Sequence, residues 1–152
     1  MPGREIRAAA PTRPDLVELL TATSRRVSRV VAAALAEDGG TLEGYRVLRC
    51  LAASPGRTMG QLVAGLHLPG PTATRVVDGL VDAALVYRLP DPGDRRRVVV
   101  HPSALGRTRL ARWEALVGAQ EAALARSLGK DRVGALVQAR ADLVDDEGLT
   151  ER

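Results

Sequence analysis

The chain has 152 residues, of which 45% are hydrophobic and 26% are charged, and its net charge is +4. This length predicts one folded unit per chain. The sequence contains no long apolar run and no secretory signal, so we expect a cytoplasmic protein without membrane contact. A single cysteine excludes a disulfide framework and a multi-cysteine zinc site. The aromatic content of 2%, with no Phe, favours a mainly helical core of Leu, Val and Ala.

The basic residues are concentrated in the middle of the chain. Residues 57–112 contain nine arginines and four aspartates, a local charge of +5, whereas the remaining residues sum to −1. A nearly neutral chain with one basic segment is typical of a protein that binds a polyanion such as a nucleic acid.

Helical periodicity begins after an N-terminal arm, residues 1–14, which we expect to be flexible. Apolar residues recur at helical spacing from Leu16 until the glycine pair at 39–40, which predicts a long first helix. Thr41 is then expected to cap a second helix, which the Ser-Pro-Gly sequence at 54–56 ends.

Two shorter helices are predicted next, from Thr58 to about Leu66 and from Pro71 to about Leu85. The tight connection between them contains Gly70, and short helices around such a connection are the sequence form of a helix-turn-helix. We expect Gly70 to cap the second helix and Pro71 to occupy its first turn. The positions of this helix that are able to face outward are Thr72, Thr74, Arg75, Asp78 and Asp82.

A hairpin follows, because the pattern changes from helical to β-branched between residues 85 and 102. Its proline-containing loop ends at three consecutive arginines, Arg95 to Arg97. Pro102 cannot donate to a strand ladder, so we expect the hairpin to end before it. A two-stranded ribbon with a basic tip, directly after a helix-turn-helix, predicts a wing.

Two further helices are predicted, from Ser103 to Leu128 and from Asp131 to about Asp146, followed by a flexible tail, residues 147–152. Together with the first helix they carry more apolar surface than a small winged core covers, and such a surplus predicts a partner subunit. The residues expected at this dimer interface are Leu16, Leu20, Leu124, Leu136 and Val137.

From about residue 15 to residue 145 the sequence resembles the MarR family of winged helix-turn-helix regulators. The sequence Thr-Ala-Thr-Arg at 72–75 is similar to the start of that family's recognition helix. The segments Val-Tyr-Arg at 86–88 and Asp-Arg-Arg at 94–96 are similar to its wing. The order and spacing of these motifs carry the resemblance.

The resemblance implies a mainly α fold with a small β-hairpin wing. Its DNA-binding lobe would be residues 41–102, and an intertwined dimerisation region would be built from residues 15–40 and 103–146. The implied function is a homodimeric regulator of transcription, a repressor, that binds a pseudo-palindromic site on double-stranded DNA. Family members also bind small effector molecules between these two regions; a pocket here would be mainly aliphatic. No cofactor is expected.

The expected DNA contacts divide between the recognition helix and the wing. Thr72 and the free N–H groups at the helix start would hold a phosphate, while Thr74 and Arg75 would reach the base edges. The arginines of the wing would lie over the minor groove or its phosphates. The complete set of expected contacts is Thr72, Thr74, Arg75, Arg95, Arg96, Arg97 and Arg57. Arg88 and Asp94 are expected to support the wing instead.

One departure from the family keeps a second interpretation open. Pro69-Gly70-Pro71 replaces a stretch that usually supplies a hydroxyl N-cap and a polar DNA contact. A winged-helix dimer that has lost DNA binding and acts through protein partners is therefore the alternative. An enzyme is not expected, because the two histidines and one cysteine stand at no recognisable catalytic spacing.

Overall fold

The computed structural model describes residues 15–129, 131–135 and 138. In chain order its elements are α1 (Leu16–Ala36), α2 (Leu42–Ala53), β1 (Arg57–Thr58), α3 (Met59–Leu66), α4 (Gly70–Asp82), β2 (Val86–Pro90), β3 (Val98–Pro102) and α5 (Ala104–Leu128). Residues 131–135 are again helical. The expected arm at 1–14, the tail at 147–152, and Leu136 and Val137 lie outside the described residues.

Polar side chains fix the start of α1, α2, α3 and α5. Asp15, Thr41 and Ser103 each accept a hydrogen bond from the backbone N–H three residues later, at 2.8 to 3.0 Å. At the start of α3, Thr58 and Gln61 form a reciprocal capping box. Because side chains satisfy these otherwise unpaired N–H groups, the helix boundaries follow from local sequence.

The sheet has three antiparallel strands in the order β1-β3-β2. The sequence predicted only the β2–β3 hairpin; the additional strand forms where Arg57 pairs with Val100. The expectation that Pro102 would end the hairpin early is wrong, since Pro102 is paired with Val86 at the end of β3. A proline at the last position of a strand removes only a terminal ladder donor, which the sheet tolerates.

The lobe formed by residues 41–102 shares one hydrophobic core with α1 and α5. Its fully buried side chains come from five helices and the sheet, and the largest are Trp113, Leu35, Leu48, Leu51, Leu62, Val47, Val77 and Val100. Trp113 of α5 reaches the α1–α2 turn, where a Cβ on Gly40 would lie 2.7 Å from its ring. The lobe is therefore packed directly onto α5. No helix in the described part of the chain is long and apolar enough to cross a membrane.

The helix-turn-helix consists of α3 and α4. His67 ends α3 in the left-handed conformation, with φ of 51°. Helix α4 ends at Asp82, earlier than the predicted end near Leu85, because Ala84 has φ of 56° and turns the chain into β2. This short turn places the hairpin beside α4, the arrangement of a wing.

Candidate nucleic-acid interface

The start of α4 differs from the sequence expectation. Its N-cap is Pro69, not Gly70, and no side chain caps the first turn. Gly70 is the first helical residue, and Pro71 follows it without an N–H group. The backbone N–H groups of Gly70 and Thr72 therefore have no capping side chain, and Thr72 is half-buried beside them. A helix start of this kind is favourable for an anion such as a phosphate.

The outward side of α4 carries Thr74 and Arg75. Both are exposed, whereas Ala73, Val77 and Leu80 on the other side are buried. The Thr74 hydroxyl donates to the backbone oxygen of Gly70 at 3.1 Å. The Thr74 hydroxyl hydrogen is thus used within the helix, while Arg75 offers an exposed cation.

Hydrogen bonds from backbone N–H groups to two aspartate side chains hold the loop at the wing tip. The carboxylates of Asp91 and Asp94 accept from the backbone N–H groups of Gly93 and Arg96, at 2.9 and 3.1 Å. Asp94 therefore shapes the backbone of the tip and forms no ion pair with an arginine among the described residues. With the loop fixed in this way, three neighbouring cations point into solvent: Arg95, Arg96 and Arg97.

Arg88 and Arg57 lie on the same face of the sheet, each paired with Val100 from opposite sides. Arg88 Nη2 donates to Asp78 Oδ1 of α4 at 2.6 Å, which ties the wing to the recognition helix. The Arg57 guanidinium lies over α3 instead, with Nη1 3.7 Å from the position of a Cβ on Gly65. Its Nε is buried and has no hydrogen-bond partner among the residues that the structure describes. Arg57 is thus half-buried, unlike the arginines of the wing tip.

The expected dimer residues that the structure describes lie on exposed surface. Leu20 of α1 and Leu124 of α5 are both exposed, and other large apolar side chains of α1 share this exposure: Val17, Leu19, Val27 and Val30. The side chain of Leu16 is not described.

Sequence reasoning did not identify a cleft that adjoins the interface. It has a volume of about 330 Å³ and lies between the α1–α2 turn, α4 and α5, with Arg75 and Trp113 in its lining. Trp113 is buried, and its indole N–H has no hydrogen-bond partner within the described part of the chain. Since Arg75 and Trp113 are 38 positions apart and on different helices, no local pattern could have revealed that they line one cleft.

The short helix pair, the three-stranded sheet and the basic hairpin define a winged helix-turn-helix protein. The MarR family model matches residues 41–97, which span α2 through the wing tip. Over these residues the chain is similar to the MarR family.

Three comparisons give the extent of this similarity. A putative transcriptional regulatory protein for the hcr operon of Thauera aromatica is 29% identical over 100 residues, which cover 66% of this chain and 60% of that protein. The transcriptional repressor CouR, bound to a 23-mer DNA duplex, is 29% identical, with a TM-score of 0.80 over 86% of this chain and 92% of CouR. A mutant of MarR from E. coli, complexed with operator DNA, is 26% identical, with a TM-score of 0.76 over 84% of this chain and 92% of that one.

Proposed function

We propose that the protein is a sequence-specific regulator of transcription that binds double-stranded DNA in the cytoplasm and acts as a repressor. The observation that carries this proposal is the joint exposure of Arg75 on α4 and of three arginines on the adjacent wing tip. A helix can enter the major groove while a basic hairpin reaches the neighbouring minor groove. Two structural relatives, CouR and MarR, are bound to DNA in their solved structures.

The test is a binding experiment in two stages. Sequencing of the genomic fragments that the purified protein retains would identify its operator. Titrations on that operator and on a scrambled duplex should then show a preference of about 10³-fold or more. The logarithm of the binding constant should fall with the logarithm of the salt concentration, by about 0.9 per phosphate contact. Failure to bind any duplex at low salt would favour the alternative, a winged-helix dimer that acts through protein partners.

The functional unit in this proposal is a homodimer. Exposed apolar side chains such as Val17, Leu20 and Leu124 support it, because helices with such faces are usually covered by a second subunit. An interface formed by α1, α5 and the following residues would bury more than about 2,000 Å². Two-fold symmetry would place two recognition helices about 10 base pairs apart on a pseudo-palindrome. Sedimentation that gives a folded monomer at micromolar concentration, or a footprint on one half-site only, would contradict this.

The cleft beside Arg75 supports a response to a small effector. Its lining combines aliphatic side chains such as Val76 and Leu80 with one aromatic ring, that of Trp113. An apolar molecule with a carboxylate would suit the apolar lining around the Trp113 ring and the Arg75 cation. Its binding would hold Arg75 away from DNA.

Trp113 is the only tryptophan of the chain, so its fluorescence reports on the cleft directly. We expect small apolar carboxylic acids to quench this fluorescence and to weaken operator binding over the same concentration range. Uncharged amides of the same acids are the matched control and should do neither. Acids that weaken DNA binding without quenching would act elsewhere and would contradict a site in this cleft.

A further inference from the structure

The ion pair between Asp78 and Arg88 joins the recognition helix to the middle of the wing. Arg88 Nη2 donates to Asp78 Oδ1 at 2.6 Å, and the two side chains are 35% and 50% exposed, respectively. Within the described part of the chain, this is the only side-chain hydrogen bond between α4 and the strands of the hairpin. The pair is therefore a single polar link between the two elements that carry the proposed DNA contacts.

The root and the tip of the wing are each fixed by other bonds. At the root, the Ser103 hydroxyl donates to the backbone oxygen of Ala84 at 2.7 Å. At the tip, the backbone N–H of Asp91 donates to the oxygen of Arg97 at 2.9 Å, a bond internal to the hairpin. Neither set of bonds joins α4 to the middle of the hairpin. The Asp78–Arg88 pair, which lies between root and tip, does so.

A role in stability alone does not account for this pair. Exposed ion pairs contribute little to the free energy of unfolding. Asp78 also lies one helical turn after Thr74 and Arg75, on the outward side of α4, where an unpaired carboxylate would repel DNA phosphates. Pairing with Arg88 neutralises this carboxylate and directs it toward the wing.

We propose that Asp78 and Arg88 are positioning residues for DNA binding. Their pair sets the angle between α4 and the wing so that Arg95 and Arg96 reach the same duplex that the recognition helix enters. This inference rests on the proposed DNA-binding function. It predicts energetic coupling between the pair and the wing tip, although Arg88 lies at the middle of β2 and the wing-tip arginines lie beyond its end.

Asp78→Asn and Arg88→Gln break the same pair but change the net charge in opposite directions. If charge alone mattered, the first variant would strengthen DNA binding and the second would weaken it. If the pair positions the wing, both variants reduce what the wing contributes. The double substitution Arg95→Ala with Arg96→Ala weakens operator binding by some factor in the wild-type protein. In the Asp78→Asn and Arg88→Gln proteins the same double substitution should weaken binding by a factor about threefold or more smaller. Such coupling is expected for residues of one network.

Two further variants separate positioning from charge. Asp82→Asn removes an exposed carboxylate one turn further along α4 and leaves the pair intact. It changes the net charge by the same amount as Asp78→Asn. It should leave unchanged the factor by which Arg95→Ala with Arg96→Ala weakens operator binding. The exchange Asp78→Arg with Arg88→Asp keeps the net charge of wild type and rebuilds an ion pair. It should restore the wing contribution that either single variant loses.

A measurement without DNA checks the same link. Backbone ¹⁵N relaxation of residues 95–97 in the free dimer should show larger amplitude motion in Asp78→Asn and Arg88→Gln, and wild-type motion in the exchanged pair and in Asp82→Asn. The inference would be overturned if the wing arginines contribute to DNA binding in wild type and contribute equally in Asp78→Asn and Arg88→Gln. The proposed function would then still stand. Wild type that binds no duplex would overturn both, and the relaxation data would then show whether the pair still restrains the wing.

Discussion

Gly106 in the first turn of α5 lies directly against the backbone of Leu85: a Cβ built on Gly106 would be 2.0 Å from the Leu85 carbonyl oxygen. The same oxygen accepts a hydrogen bond from the backbone N–H of Ser103 at 3.0 Å. The start of α5 is therefore held against the turn that leads into the wing. Only a residue without a side chain permits this approach.

Gly106→Ala should destabilise the protein. The atom that a new methyl group would meet is a backbone oxygen, which cannot rotate away, so we expect a loss of about 3 kcal/mol, at the upper end of the usual range for overpacking. Urea denaturation at a fixed protein concentration measures it. Gly118→Ala in the same helix is the matched control, because a Cβ there meets no atom within 4 Å. That variant should gain up to about 1 kcal/mol. Equal stability of the two variants would contradict the close packing.

Asp38 joins the end of α1 to α5. Arg109 Nη1 donates to the Asp38 backbone oxygen at 2.8 Å, and Arg112 Nη2 donates to Asp38 Oδ1. The Asp38 side chain is only 15% exposed, so Asp38→Ala should remove about 1.5 to 3 kcal/mol of stability in the same urea experiment.

Two neighbouring variants serve as controls for Asp38. Arg112 is 65% exposed, and Arg112→Ala should therefore change stability by less than about 1 kcal/mol. Glu37→Ala, at an exposed adjacent position, should stay within about 0.5 kcal/mol of wild type. A loss for Glu37→Ala as large as that for Asp38→Ala would indicate a general charge effect.

The sequence predicted features whose causes are local. Thr41, Thr58 and Ser103 mark helix starts because each accepts hydrogen bonds from N–H groups only a few residues away. The β-branched run at 98–100 and the turn before it likewise indicate the hairpin. The resulting winged helix-turn-helix agrees with the structure.

Features that depend on tertiary contact were not predicted. The strand at Arg57 exists only because the chain at Val100 pairs with it, 43 positions away. The helical pattern predicts that Asp78 faces outward, but its partner Arg88 lies across the turn on another element. The sequence predicts Gly70 as the N-cap of α4, whereas the N-cap is Pro69, which has no capping side chain that would mark a helix start. In each case the outcome depends on packing that spacing alone does not determine.

Thr74 should contribute to recognition through its methyl group. Its hydroxyl hydrogen is already used in a bond to Gly70 of the same helix, so we expect the methyl group to face a base edge, where it suits the methyl of thymine. Thr74→Val keeps this methyl and should preserve the base preference at one operator position. Thr74→Ser removes it and should relax that preference by about 1 kcal/mol or more. Competition titrations with single-base operator variants measure both. The reverse ranking would show that the hydroxyl makes the contact.

Arg75 and the wing arginines should produce different kinds of defect. A contact between an arginine and a base edge in the major groove is worth about 1 to 3 kcal/mol of discrimination. Arg75→Ala should therefore weaken binding to the operator more than binding to a scrambled duplex, and reduce the ratio of the two affinities.

Arg95→Ala with Arg96→Ala should weaken binding to the operator and to the scrambled duplex by similar factors. Both side chains are exposed on a hairpin that can reach phosphates and the minor groove, where the pattern of hydrogen-bonding groups distinguishes bases poorly. The salt slope should fall by about one unit for each phosphate contact removed. Titrations at several salt concentrations on both duplexes measure affinity, preference and slope together. Dimerisation and thermal stability should stay close to wild type, because exposed charges contribute little to either. A double variant with wild-type affinity and slope would show that the wing does not touch DNA, and recognition would then rest on α4 alone.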